Sequence, residues 1–401
     1  MLKCLDQPGC AMTADERIQL LRDVDNFCRE LRPSEEVCYV EHRLNDQLLP
    51  LARKYNLLGM PVAKDYGGRD ADAVTYAEAL MRIGREGAGV RTFFSGHTSI
   101  GQFPIQFWGN EAQKRKVLPP STRGEVILAF GLTEPEAGSN PRELQTSYER
   151  RGDHYILNGV KYLISNGSIA NVTINFAYPK ERRERMSAFI VEMGGEGLTR
   201  EMLTAKLGLK TSDTSMYEFT NYHVPLDNLL GQEGDGLKIA LHTLMSGRLS
   251  VAAGQVGVIE DCLEESVQYA KSRVQHGKLI GKHQLVQDHI AFIQMALETS
   301  RCLVFEAARA KQAHHLDRDN VDLLSRADLL IAEAKCYVSR AAWEAADRAV
   351  QIFGGRGYSE LYRPGRHLQD SRVCRIYEGT EEILKLKIAA AILGKEFEAY
   401  H

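Results

Sequence analysis

The apolar pattern of this chain changes its period twice, and that double switch limits the folds open to it. From Ala14 to about Gly124, apolar residues recur at three- and four-residue spacing, as in Ile18-Leu21-Val24-Phe27 and Leu48-Leu51-Ala52, which predicts amphipathic helices. Gly67-Gly68 and Pro119-Pro120 punctuate this block. From about Val126 to Leu237 the period shortens to two. Val126–Phe130, Tyr155–Leu157, Val172–Ala177, Ala188–Val191 and Met216–Thr220 predict short strands, with turns at Asn158-Gly159 and Asn166-Gly167. Helical spacing returns from Lys238, through Ile239–Ala253, Val256–Ala270, Val286–Ala308 and Val321–Val350, and Gly354-Gly355 predicts the stop of the last helix. The expectation is an α+β protein of three units: an N-terminal helical domain over 1–125, a central β-sandwich or barrel over 126–237, and a C-terminal helical bundle over 238–401.

Several function classes fall away at once. A formal net charge of −3 offers no basic excess for nucleic acid or an anionic membrane, and no apolar run reaches the length of a membrane span. Met1 to Thr13 holds one Lys, no Arg and no apolar stretch, so a signal or transit peptide is not expected, and Met12 is an alternative start to Met1. The eight cysteines (Cys4, Cys10, Cys28, Cys38, Cys262, Cys302, Cys336, Cys374) form no Cys-x-x-Cys pair and stand beside no His cluster. That scatter argues against a metal site and for a reduced, cytoplasmic setting. No Gly-x-Gly-x-x-Gly lies between a strand and a helix, so a Rossmann cofactor site is not supported. Gly354-Gly355-Arg356-Gly357 follows a helix and reads first as a helix stop.

Five segments, in order along the chain, nevertheless resemble the acyl-CoA dehydrogenase family. Two match its signature stretches: Phe130-Gly-Leu-Thr-Glu-Pro-Glu-Ala-Gly-Ser-Asn140 and Arg375-Ile-Tyr-Glu-Gly-Thr-Glu-Glu-Ile383. The others are Asn158-Gly-Val-Lys-Tyr-Leu-Ile-Ser-Asn-Gly167, Arg273-Val-Gln-His-Gly-Lys278 with His283-Gln284, and Gln351-Ile-Phe-Gly-Gly-Arg-Gly-Tyr358. The resemblance runs from about Ala14 to Leu393. It implies α,β-dehydrogenation of an acyl-CoA thioester with FAD as cofactor.

That reaction needs a base in a dry site, and donors aimed at the carbonyl oxygen where enolate charge develops. The resemblance places the base at Glu378, where desolvation would raise the carboxyl pKa toward neutrality. It assigns the oxyanion donors to the Glu378 N–H and a ribityl hydroxyl of FAD. Gly379 lets the backbone pass close to ligand, and Tyr377, Arg248 and Ser139 join Gly379 as substrate-side residues. Some family members carry the base on the long helix that opens the third unit. Here that position is Gly247, which cannot abstract a proton.

For FAD, the resemblance implies Phe130, Leu132 and Thr133 at the ring, Ser139 at the phosphates, Ser165 beside N5 where Thr is usual, and Thr380 nearby. Leu163 replaces a frequent Trp. Arg273, Gln284, Gln351 and Gly355 resemble the set that binds the pyrophosphate and adenosine half across a subunit interface. Gln275-His276 departs from the common Gln/Thr-Phe pair. A homotetramer (a dimer of dimers) and electron-transfer flavoprotein as electron acceptor are the implied partners.

Arg91 and Ser95 are four residues apart on an expected helix and so share a face. This pair resembles glutaryl-CoA dehydrogenases, in which Arg and Ser hold the distal carboxylate of a dicarboxylyl substrate. The glutamate that this subgroup carries seven residues before the arginine is Gly84 here. The alternatives are that Arg91 faces solvent or pairs with a neighbour such as Glu86, and that Phe93, Phe94 and His97 shape the pocket for a branched or cyclic acyl group. A flavin oxidase or monooxygenase on the same fold is the rival chemistry. A nucleic-acid-binding relative is disfavoured by the charge balance.

Overall fold

The computed structural model describes residues 12–181, 185–397 and 399. The expectations about Cys4, Cys10 and a start at Met1 lie outside them.

The N-terminal block is helical: α1 (Ala14–Val40), α2 (Leu48–Lys54), α3 (Ala73–Gly84), α4 (Ala88–Phe94), a π-helical segment Ser95–Gln102, α5 (Phe103–Trp108) and α6 (Glu111–Thr122). Local capping sets these starts. Thr13 and Glu16 form a capping box at α1, Asn110 and Gln113 form another at α6, and Asp72 accepts from Val74 and Thr75 at α3. Pro119 and Pro120 do not end the block ahead of a break but lie in the last turn of α6. Their carbonyls there accept from the Arg123 and Glu125 backbone N–H groups, which closes the C-terminal end of the helix.

The β unit contains β1 (Leu128–Gly131), β2 (Ser147–Arg151), β3 (His154–Ser165), β4 (Val172–Pro179), β5 (Ser187–Glu192), β6 (Leu198–Met202), β7 (Thr214–Pro225) and β8 (Leu229–Leu230). Their order is β6-β7-β3-β2-β4-β5-β8, with β1 parallel to β4. Only two residue pairs join β2 to β4, so the sheet folds over at that seam. Tyr148, Tyr155, Phe189, Tyr217, Phe219 and Tyr222 fill the inside of the fold. Asn158-Gly159 is not a turn, as the sequence suggests, but a bulge within β3, with Gly159 at φ +144°. Cross-strand pairing with β7 overrides the local turn preference.

The C-terminal unit has α7 (Gly236–Ser272), a small hairpin β9 (Val274–Gln275) and β10 (Lys278–Leu279), α8 (Gln284–Leu316), α9 (Val321–Phe353), α10 (Arg363–Cys374) and α11 (Glu381–Leu393). The two helices expected over 239–270 are one 37-residue helix. Gly254 lies where the sequence suggests a break. It stays helical because α3 and α4 press against it: a Cβ there would sit 2.6 Å from Arg91 Cγ, and one at Gly84 only 2.1 Å from the Gly254 carbonyl oxygen. Tertiary contact outweighs the intrinsic cost of a helix glycine. Phe27 of α1, Leu80 of α3, Val256 of α7, Ala308 of α8 and Ala342 of α9 share one core, so the first and third units pack as a single body. Buried Asp261 of α7 accepts from Arg363 Nε (2.7 Å) and lies 2.8 Å from His367 Nε2, which fixes α10 and the turn that follows it. Among the described residues no helix is long and apolar enough to cross a membrane, and all six described cysteines are free.

Candidate active site

The connection from α10 to α11 carries Glu378 in an expensive conformation. Glu378 has φ +58°, a region that L-residues enter at a cost of about 1 kcal/mol or more, and Gly379 follows at φ +93°. Two cations from separate helices hold this turn by its carbonyls. Arg248 Nε of α7 donates to the Glu378 oxygen at 2.9 Å, and Lys335 Nζ of α9 donates to the Gly379 oxygen at 2.5 Å. Thr380, expected near the cofactor, caps α11 by accepting from Ile383 N at 3.2 Å. The Glu378 N–H has no partner among the described residues.

The turn throws the Glu378 carboxyl back onto α7. A Cβ at Gly247 would lie 2.3 Å from Oε1 and 2.5 Å from Cδ and Oε2, so the carboxyl occupies the space that a side chain at position 247 would take. Oε2 is buried without a hydrogen-bond partner. Burial pushes the carboxyl pKa up to about 7, against the opposing pull of Arg248, Lys335 and Arg91. The result is a carboxylate that can accept a proton near neutral pH, not the solvated helix-start glutamate that the local sequence alone would allow. Gly247→Ala is therefore expected to displace this group and lower kcat by about 100-fold with FAD content unchanged, because misplacement of a reacting group by an ångström costs that much. Turnover at the wild-type rate would show that the carboxyl position is not critical.

Arg91 projects from α4 toward the same region and is only 1% exposed. One Nη donates to the Tyr377 hydroxyl, and the guanidinium lies 5.5 Å from that ring's centroid. Its Nε has no partner, and no carboxylate pairs with it among the described residues. Both bland alternatives fail. Arg91 does not face solvent, and Glu86 pairs instead with Arg32 at 2.8 and 2.9 Å. A glutamate at position 84 would have no room against Gly254. Ser95 is buried at the start of the π-helical segment, one turn beyond Arg91. Phe93, Phe94 and His97 are buried in the protein core. Phe94 packs edge-on against Phe27. The His97 Nδ1 accepts from the Leu128 N–H at 3.1 Å, so its protonated Nε2 faces the Ser121 carbonyl at 3.2 Å. Burial lowers the His97 pKa to about 4, leaving a neutral ring that ties β1 to the helices.

The segment after β1 provides a surface suited to a flavin. The Thr133 carbonyl accepts from Tyr162 N at 2.9 Å, joining it to β3. A buried pair, Lys161 Nζ to Glu134 Oε1 at 2.7 Å, secures it further. The half-buried Thr133 and Ser165 hydroxyls have no partner among the described residues, leaving them available to a polar ring edge. Leu163 sits at φ +60° on a bulge and is 53% exposed, presenting an apolar side chain beside Ser165. Leu132 is buried. The Phe130 ring packs on Phe176 at 4.9 Å, so what it can offer a ligand is its backbone. Ser139 is exposed, and a Cβ at Gly138 would meet nothing within 4 Å, so backbone there is open to a phosphate. These residues fit the cofactor.

Arg273, Gln284, Gln351 and Gly355 are not part of this cluster. Arg273 caps α7, Gln284 opens α8, and Gln351 and Gly355 flank the end of α9, where Tyr269 stacks on Phe353 at 4.2 Å. Gln284, Gln351 and Gly355 are exposed, and beside them Tyr358 and Leu285 are 91% and 81% exposed.

Three family models cover almost the whole chain: acyl-CoA dehydrogenase N-terminal domain over residues 14–125, middle domain over 129–222 and C-terminal domain over 234–393. The chain belongs to the acyl-CoA dehydrogenase family. The dehydrogenase is 40% identical to an acyl-CoA dehydrogenase of Bacillus subtilis (strain 168), over 94% of this chain and 98% of that one. Its fold matches butyryl-CoA dehydrogenase from Megasphaera elsdenii with a TM-score of 0.89 at 35% identity, over 95% of this chain and 99% of that one. It also matches a glutaryl-CoA dehydrogenase from Mycobacterium smegmatis in complex with FADH2, with a TM-score of 0.88 at 30% identity, over 97% of both chains. It is an FAD-dependent oxidoreductase acting on acyl-CoA.

Motif reading passed over Lys335. The available signal was a lysine inside an apolar stripe, with Ile331, Val338 and Ala342 on the same buried face of α9.

Proposed function

We propose that the dehydrogenase oxidises a short dicarboxylyl-CoA such as glutaryl-CoA, with Glu378 as the base. The supporting observation is a buried guanidinium, Arg91, that faces the catalytic turn and has no paired carboxylate among the described residues. A buried cation without an ion-pair partner in hydrogen-bond contact is costly, and a distal substrate carboxylate would supply that contact. Ser95 adds a hydroxyl on the same face. As the α C–H bond breaks, Glu378 takes the proton and negative charge develops on the thioester oxygen. The Glu378 N–H, without a partner among the described residues, is available to that oxygen, and Arg248 and Lys335 steady the turn. Tyr377 and Gly379 would border the acyl group, and Ser139 both the phosphates and the substrate. Bound FAD supplies the acceptor for the hydride that leaves the β carbon. Thr133, Ser165, Leu132 and the Phe130 backbone would flank its ring.

The exposed Gln284, Gln351 and Gly355, with the half-buried Arg273, support FAD binding completed by a second copy, and the bare Tyr358 and Leu285 side chains favour burial in a homotetramer. Electron-transfer flavoprotein is the proposed acceptor, and the domain seams are proposed at 125/126 and 237/238. Anaerobic mixing with glutaryl-, butyryl-, hexanoyl-, isovaleryl- and cyclohexanecarbonyl-CoA, followed by flavin absorbance, tests the substrate. Bleaching fastest with glutaryl-CoA is expected. A faster response to any monocarboxylyl ester would reject the dicarboxylyl reading.

A further inference from the structure

Lys335 is fully buried in the middle of α9, on an apolar face where Ile331, Val338 and Ala342 surround it. No carboxylate pairs with it among the described residues. Its hydrogen bond goes to the Gly379 carbonyl at 2.5 Å. The groups around it are Cys374 of α10, Glu378, Arg248 of α7 and its neighbour Cys336, and burial lowers its pKa to about 8. A leucine or alanine here would continue the helix stripe without the cost of desolvating an ammonium. What the lysine adds is specific to the catalytic turn. Glu378 and Gly379 both hold positive φ values, and the two successive carbonyls of that turn are each taken by a cation, Arg248 at residue 378 and Lys335 at residue 379. Drawing both carbonyls toward α7 and α9 leaves the Glu378 N–H without a partner among the described residues and the carboxyl pressed on Gly247. The cations facing Glu378 are Arg248, Lys335 and Arg91 of α4, and each favours its ionised form.

We infer that Lys335 is a positioning residue for the base: it fixes the 378–379 turn through the Gly379 carbonyl and, by its charge, keeps Glu378 ionisable at neutral pH. This rests on the reading of Glu378 as the base. The test uses the FAD-loaded full chain and three variants, alongside Glu378→Gln as a separate control. Lys335→Met is expected to bind FAD and keep KM within about threefold, yet lose kcat by about 10- to 100-fold. Removing the cation should also move the acidic limb of kcat/KM upward by roughly one pH unit. Lys335→Gln keeps a donor without charge, so it should recover part of kcat while retaining the displaced limb. Lys335→Arg should restore both. A wild-type kcat and acidic limb in Lys335→Met would overturn the inference. Should that variant lose FAD, Lys335→Gln and Lys335→Arg decide the matter, and coincident acidic limbs in those two would overturn it. Retained bleaching in Glu378→Gln would instead reject the base assignment itself, whatever the lysine variants show.

Discussion

Glu378→Gln is expected to bind FAD and turn yellow but to lose substrate-dependent flavin bleaching by about four orders of magnitude, at the upper end of what one general base contributes. The amide is isosteric and keeps the packing on Gly247, so the loss isolates the proton transfer. The same group is expected to set the pH dependence. Its pKa is raised to about 7, and a base acts as the carboxylate, so with Glu378 as the proposed base kcat/KM should fall about tenfold per unit below pH 7 in the wild type. The stability consequence has the opposite sign. A carboxyl whose folded pKa lies above its unfolded value favours folding in the protonated form, and that advantage is lost as pH rises through about 7. Glu378→Gln should therefore melt higher than the wild type at pH 8, by a few kcal/mol at most, and match it near pH 4. Unchanged bleaching in this variant would remove Glu378 from the mechanism.

Arg91→Met should separate two substrate classes. Methionine keeps much of the apolar stem that packs on Gly254 and deletes the guanidinium. Loss of one partner from a buried charge pair costs about 2–5 kcal/mol, so kcat/KM for glutaryl-CoA is expected to fall by about 10³-fold. Butyryl-CoA brings no carboxylate, and its kcat/KM should stay within about tenfold. Steady-state rates with an artificial electron acceptor measure both. An equal loss for the two esters would mean that Arg91 supports the Tyr377 turn and does not read the acyl terminus.

The two kinds of residue differed in how legible they were. Glu378, Gly379 and the stretch after β1 sit in short contiguous motifs, and the helix stop at Gly354 follows from a glycine next to a long periodic segment. The Asn158-Gly159 pair misled because its turn preference is weak against a full set of β3–β7 hydrogen bonds. The glycines at 84 and 254 were ambiguous because helix breaking and close packing call for the same residue. Lys335 was hidden because a buried lysine and a solvated one look alike until the neighbouring helices are in place.

By itself, then, the sequence determined the helix–strand–helix order, the family and the carboxylate that can serve as base, since periodicity and contiguous motifs are local properties of a chain. Only the tertiary structure decided that Glu378 is dry enough to titrate near pH 7, that Arg91 has no paired carboxylate among the described residues, and that two distant cations grip one turn. Desolvation and charge pairing depend on what α3, α4, α7 and α9 bring together, across separations that no local pattern records.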